Sequence, residues 1–175
     1  MRSLTAILLL LFPILAGSAA TPEAYAVEIL VFENRMPDLE GGELWTQTNG
    51  GTVAHPIDPV IPGATSMSSG IEEIAQSLSK DARYRILTYA RWVQNSESRE
   101  KAQPIIVATT ASKELDGIIR MYVSRFLHVE LNLAFQPVEG AGLIHRIDDQ
   151  RRVKTQELHY FDHPKFGVLV RVTPA

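Results

Sequence analysis

The chain has 175 residues, a formal net charge of −3 and an apolar content of 45%, which together fit one globular domain. The slightly acidic balance argues against a nucleic-acid partner, because proteins that bind nucleic acid through their backbone carry a strong basic excess. Cysteine is absent, which excludes both disulfides and the acylated cysteine of a lipoprotein.

The N-terminus is typical of a cleaved signal peptide. Arg2 precedes a short apolar run at residues 4–15, and small residues follow at 16–20. We expect a signal peptide over residues 1–20, cleaved after Ala19 or Ala20, and a single domain over residues 21–175. An uncleaved membrane anchor is the alternative, but the apolar run is short for a membrane span. In a bacterium, export without a second apolar segment predicts a soluble periplasmic protein.

The first half of this domain is predicted to contain two strands and one helix. Residues 24–33 are apolar on both faces, which indicates an interior strand. Residues 34–70 have no period of 2 or 3.6 and are rich in proline and glycine, which predicts a long loop. Residues 69–80 have apolar positions at helical spacing. Residues 84–94 read as the second strand, with Tyr84, Ile86, Ala90 and Trp92 on one face.

Residues 117–136 form the most regular stretch of the chain. Apolar side chains occupy nearly every odd position, and Arg125 is the exception among them. This alternation predicts one long strand, preceded by a hairpin turn at Asp116–Gly117 and carrying a bulge at Arg125. A buried arginine needs an acidic partner, so Arg125 either pairs with a carboxylate such as Glu157 or lies at the centre of a site.

The last part of the chain is predicted to be mostly strand. Residues 143–147 and 166–172 read as strands, and residues 148–150 as a reversal. Residues 151–160 fit a strand or a short helix, and we favour the strand. The order of elements predicts an α+β fold, an antiparallel sheet whose dry face, on residues 117–136, is covered by the helix. A ferredoxin-like layout is one option.

Motifs for catalysis are absent from the sequence. It contains neither a glycine-rich phosphate loop nor a nucleophile motif. His159 and His163 are four residues apart, a spacing that chelates a metal on a helix. On a strand the same spacing separates them by about 13 Å, too far for one ion. We therefore predict no enzyme activity, no metal and no cofactor.

The even positions of residues 117–136 offer a different kind of site. Arg120, Tyr122, Phe126 and His128 share the polar face of the predicted strand. Arginines beside aromatic rings suit an anionic glycan or peptide, through charge-assisted hydrogen bonds and ring contacts. The alternative is an ordinary solvated sheet face with cross-strand pairs.

Several segments occur together and in order: VEILVFEN after the signal peptide, ELW in the loop, YRILTYARWVQ, SRFLHVELNL and ELHYFDHPKFGVLV. In these segments the chain resembles the CsiV family of periplasmic peptidoglycan-binding proteins. The resemblance implies a non-catalytic protein that binds peptidoglycan. It also implies that the protein supports a class A penicillin-binding synthase through that enzyme's outer-membrane lipoprotein activator. The alternatives are an adaptor that touches the wall only through a partner, and a metal-dependent hydrolase using His159 and His163.

The resemblance brings no site residues with it, so the candidates come from the motifs and the polar face. The candidate ligand-binding residues are Arg125, His128, Glu157, His159, Tyr160, Asp162 and His163, with Trp92 in reserve.

Overall fold

The computed structural model describes residues 23–36, 70–109, 114–138 and 142–175. In chain order the elements are β1 (Ala24–Asn34), α1 (Gly70–Leu78), β2 (Tyr84–Asn95), β3 (Ile105–Ile106), β4 (Leu115–Val123), β5 (Leu127–Phe135), β6 (His145–Arg152), β7 (Leu158–His163) and β8 (Phe166–Pro174). They form two four-stranded antiparallel sheets. The first sheet has the order β2-β1-β8-β7 and the second the order β3-β4-β5-β6.

The two sheets pack face to face around one apolar core. Alternate residues of each strand point inward, so Ile29 and Val170 of the first sheet share the core with Met121 and Leu131 of the second. All four side chains are fully buried. This arrangement is a β-sandwich, in which each sheet covers the apolar face of the other.

The predicted α+β class is wrong, and so is the ferredoxin-like option. Strands make up 58% of the described residues and helix only 8%. The apolar face of residues 117–136 is covered by the first sheet and not by α1. The helix instead packs on the outside of the first sheet, where Ile71 joins Leu30, Phe32 and Leu169 in a small cluster. The sequence pattern identified the apolar faces but not which element covers each one.

The predicted long strand at residues 117–136 is two strands, β4 and β5, joined by a turn at residues 124–126. Val123 pairs with Leu127, so three residues form the turn. Because that number is odd, the inward positions stay odd-numbered on both sides of the turn, and the alternation continues as if the strand were unbroken. Arg125 lies at the exposed tip of this turn and not in a bulge on the apolar face.

The predicted shared face of β2 is also wrong, because the strand contains an irregularity. The register against β1 shifts between Val31 and Phe32. One extra residue on β2 moves the following side chains to the opposite face. Ala90 and Trp92 therefore pack in the core between the sheets, whereas Tyr84 and Ile86 lie in the helix cluster outside.

Two predicted turns lie elsewhere in the structure. Asp116 and Gly117 are inside β4, where Gly117 has a φ of +151° and an added Cβ would lie 2.7 Å from the Cα of Leu133. Only glycine fits this close approach of two strands. β6 runs through the reversal predicted at residues 148–150, and the chain turns at residues 153–157 instead.

The strands predicted at residues 24–33, 84–94 and 166–172 are confirmed, and the first is interior to its sheet as expected. The predicted signal peptide and almost all of the predicted loop at 34–70 lie outside the described residues. Within the described ranges no helix has the length and apolar character needed to cross a membrane. At the end of β8, the Ala175 amide donates to the carbonyl of Ala24, so both ends of the described chain lie side by side.

Candidate ligand-binding face

The two ends of the sandwich differ, and each is defined by its loops. At one end, here called the turn end, lie residues 124–126 and 153–157, where the backbone amide of Val153 donates to the carbonyl of Leu127. At the other, here called the cleft end, β1 ends at Asn34, which donates its amide to the carbonyl of Lys165. The predicted site residues are divided between these ends.

The outer face of the second sheet is polar, and its side chains interact across the strands. Tyr122 and His128 are cross-strand partners with their rings stacked at 5.0 Å. Gln150 of β6 donates to the Tyr122 hydroxyl at 2.7 Å. His128 Nδ1 lies 2.9 Å from the carbonyl oxygen of Phe126. A carbonyl can only accept, so Nδ1 carries the proton and holds the turn in place.

The arginines in the middle of this face are paired. Glu130 lies between Arg99, at 3.2 Å, and Arg120, at 3.3 Å. Both guanidinium groups therefore have a carboxylate partner within the protein. These two arginines balance the charge of Glu130 on the sheet.

The arginines at the turn end are in a different situation. The guanidinium carbon of Arg152 lies 3.5 Å from the centroid of the Phe126 ring, and that of Arg125 lies 5.5 Å from it. We call these three residues the arginine–phenylalanine stack. Within the described part of the chain, neither of its arginines has a carboxylate within ion-pair distance, and both are exposed. Phe126 itself is 38% exposed.

The cleft end contains a cavity of about 670 Å³ between the sheets. Arg85 lies in its wall and donates two hydrogen bonds to Glu114, at 2.9 and 2.7 Å, and one to Glu33 at 2.7 Å. The hydrogen bonds that Arg85 donates to Glu114, and then the one it donates to Glu33, raise the pKa of Arg85 further above its usual range. Arg35 also pairs with Glu33, at 2.9 Å, so two arginines balance the two carboxylates, as is typical of a structural ion-pair network. Described residues that line the cavity include Met36, Glu114, Val138 and Gly142.

His163 is buried beside this cavity. Its ring lies 5.2 Å from that of His145, and its Nδ1 accepts the backbone N–H of Lys165 at 3.1 Å. Burial lowers the pKa of His163 to about 4, and the neighbouring His145 contributes to the shift. His163 is therefore a neutral side chain in the core, and it is not placed to contact a large ligand.

Three more of the predicted residues act within the protein. Trp92 is only 2% exposed, and its Nε1 donates to Gln94 at 2.8 Å. Glu157 pairs with Lys154 at 3.2 Å, so the suggested Arg125–Glu157 ion pair is wrong. His159 Nε2 lies 3.1 Å from the amide and 3.2 Å from the carbonyl oxygen of Lys154, which fixes the β6–β7 turn.

Tyr160 and Asp162 lie on a different surface, the outer face of the first sheet. The Tyr160 hydroxyl donates to Asp162 at 2.6 Å, and its ring stacks on Phe32 at 6.2 Å. Burial, followed by the bond to Asp162, raises the pKa of Tyr160. Among the described residues, no group of histidine and acidic side chains could hold a metal ion.

The predicted candidates therefore do not form a single site. Only Arg125 and His128 lie together with the exposed ring of Phe126. Arg152, which completes the stack, was not among the candidates. It faces His128 through the register of β5 against β6, and a sequence alone does not reveal that register.

These features define a class of protein. The described residues form an antiparallel β-sandwich that carries an exposed ring flanked by two arginines. A family model described as the peptidoglycan-binding protein CsiV matches residues 62–175. The chain belongs to the CsiV family, as its sequence segments indicated. Searches of curated proteins and of solved structures found no match.

Proposed function

We propose that this protein binds peptidoglycan in the periplasm, through the turn end of the second sheet. The observation that carries the proposal is the arginine–phenylalanine stack, where Arg125 and Arg152 have no acidic partner in the described chain. Membership of a peptidoglycan-binding family supports it.

The chemistry of peptidoglycan fits this surface. Its glycan strands carry short peptides that end in carboxylates, and guanidinium groups bind carboxylates through paired N–H donors. Exposed ion pairs contribute about 1 kcal/mol or less each. A single contact is therefore weak, but a sacculus presents the same groups many times and raises the effective concentration.

The test is co-sedimentation of the untagged protein with purified sacculi at low salt. We expect the wild type to pellet and the double variant Phe126→Ala, Arg152→Ala to stay largely in solution. Arg83→Ala is the matched control, because Arg83 also lies over a ring, that of Tyr84 at 5.8 Å, but is bonded to Asp81. Failure of the wild type to pellet would overturn the proposal.

A finer proposal rests on the family resemblance alone. We propose that the protein supports a class A penicillin-binding synthase through its outer-membrane lipoprotein activator. Adding the protein to a reconstituted synthase with its activator should raise the rate of glycan polymerisation. An unchanged rate would overturn this proposal and leave wall binding intact. Pulldown from membranes free of sacculi tests for an adaptor, which would still retain its partner.

Export to the periplasm is tested separately. The N-terminal residue of the protein recovered from the periplasmic fraction should be Ala20 or Thr21, as expected for cleavage after Ala19 or Ala20. An intact N-terminus at Met1 would favour the anchor.

A further inference from the structure

We infer that the arginine–phenylalanine stack recognises the carboxylates of the peptide stems and not the glycan strand. The inference rests on the proposed function, since it names the part of peptidoglycan that the same surface binds.

The two arginines of the stack differ from most others in having no acidic partner. Most arginines in the described ranges have a carboxylate within 4 Å: Arg35, Arg83, Arg85, Arg91, Arg99, Arg120 and Arg151. Arg125, Arg152 and Arg171 have none there, and of these three only Arg125 and Arg152 are exposed. Both guanidinium carbons lie close to the same Phe126 ring, so they are at most about 9 Å apart. Two exposed like charges at such a separation repel each other only weakly, but both attract an anion bound between them.

The second argument is geometry. The guanidinium carbon of Arg152 lies over the Phe126 ring, 3.5 Å from its centroid, which is the distance of a stacked contact. Stacking of this kind leaves the N–H edge of the guanidinium free, and that edge matches a carboxylate. The ring also limits the motion of Arg152, which reduces the entropy lost when a ligand binds. The backbone beneath is held by His128, which bonds to the Phe126 carbonyl.

The third argument concerns the glycan. Proteins that bind sugar chains use an uncovered aromatic face for stacking and neutral hydrogen bonds for orientation. Here the face of Phe126 is already occupied by Arg152. The next ring on the surface, Tyr122, is only 4% exposed and is stacked on His128. The turn end of the second sheet therefore favours an anion over a neutral sugar ring.

The acidic groups on this face do not cancel its charge at the turn end. Glu130 is held by Arg99 and Arg120. Asp148 pairs in register with Asn132, further along the strands from Arg152. At the turn end itself, Glu157 pairs with Lys154, and Glu97 lies beside Val123. Among the described residues neither carboxylate is within ion-pair distance of Arg125 or Arg152, so these two charges stay unpaired.

The experiment compares intact sacculi with glycan strands from which an amidase has removed the peptides. Those strands are soluble and carry the lactyl carboxylates that the amidase releases, so they are amidated and coupled to beads before binding is measured, and this material is called the stripped glycan. We expect binding of the untagged protein to fall about tenfold on the stripped glycan, as two exposed ion pairs would give. A soluble stem tripeptide should compete for intact sacculi, and the same tripeptide with its carboxylates amidated should not. Arg125→Lys with Arg152→Lys keeps the charge but removes the planar fork, so it should lower binding to intact sacculi, while Arg83→Ala should bind as the wild type.

The outcomes separate this inference from the proposed function. Equal binding to intact sacculi and to the stripped glycan would overturn the inference and leave peptidoglycan binding standing. No binding to either would overturn the proposed function. Circular dichroism of each variant shows that a loss of binding is not a loss of fold.

Discussion

Arginine has opposite roles at the two ends of this sandwich. At the cleft end, Arg85 is held by Glu33 and Glu114, and the side chain of Glu114 is only 4% exposed. At the turn end, Arg125 and Arg152 contact a ring and have no carboxylate among the described residues. An arginine whose charge is unpaired within the protein, as at the turn end, is available to a ligand, whereas Arg85 at the cleft end is not. It also predicts that substitutions at one end change stability and those at the other change binding.

The largest expected effect is at the cleft end. Glu114→Gln should lower the free energy of unfolding by about 3 kcal/mol, because it leaves Arg85 in the cavity wall without its main partner. Urea denaturation measures this. Binding of the folded variant to sacculi should not change. A variant as stable as the wild type would show that the ion pairs of Arg85 are not structural.

The second effect is a dependence of the free energy of unfolding on pH, which we assign to His163 at the cleft end. His163 has a pKa of about 4 in the folded protein and about 6.5 when unfolded. The unfolded chain therefore takes up a proton first, and stability falls as the pH drops from about 6.5 to about 4, by up to about 3 kcal/mol.

Urea denaturation of the wild type and of His163→Gln across that range measures the effect. The groups that face His163 are His145, Asp162 and Lys165. Their charges are retained in the variant, so only the contribution of His163 is removed. A variant whose stability still falls as steeply would assign the dependence to another group.

The third effect concerns the turn end. Sacculus binding by the wild type should fall about tenfold between low and high salt, because exposed ion pairs are screened. The double lysine variant Arg125→Lys, Arg152→Lys should retain this salt dependence at a lower affinity. Binding that is insensitive to salt would show that peptidoglycan is bound by apolar contacts and not by the two guanidinium groups.

The smallest expected effect is on stability, from the loss of an exposed ion pair. Glu157→Gln removes the partner of Lys154, a pair whose side chains are 67% and 53% exposed. We expect a change of less than about 0.5 kcal/mol in unfolding free energy. A loss comparable to that of Glu114→Gln would mean that burial is not what distinguishes the two carboxylates.

Much of the fold could be predicted from the sequence, but its connections could not. The alternation at residues 117–136 identified the buried and exposed faces correctly. It concealed the turn, because three residues between Val123 and Leu127 preserve the phase. In β2 the alternation predicted the faces wrongly. The irregularity in this strand places Ile86 and Trp92 on opposite faces, although their spacing predicts one shared face.

The candidate site was predicted in part for the same reason. Arg125 and His128 were identified because they lie within one regular segment. Arg152 joins them only through the pairing of β5 with β6, which is a contact between distant parts of the chain. Arg85, Glu33 and Glu114 were missed because the three residues come from separate segments. Their approach depends on how the two sheets are stacked.

The hydrogen bond between Ala175 and Ala24 has a practical consequence. Tyr25 pairs with Pro174, and the amide of Ser96 donates to the carbonyl of Glu23, so both ends of the described chain emerge beside the loop that follows β2. The amide of Val123, next to the β4–β5 turn, donates to Glu97 in that loop. A purification tag or surface tether fused to either end is therefore carried beside Arg125 and Phe126. Immobilising the protein in that way would turn the proposed binding face toward the support. A label on Lys80, just after α1, would leave that face accessible.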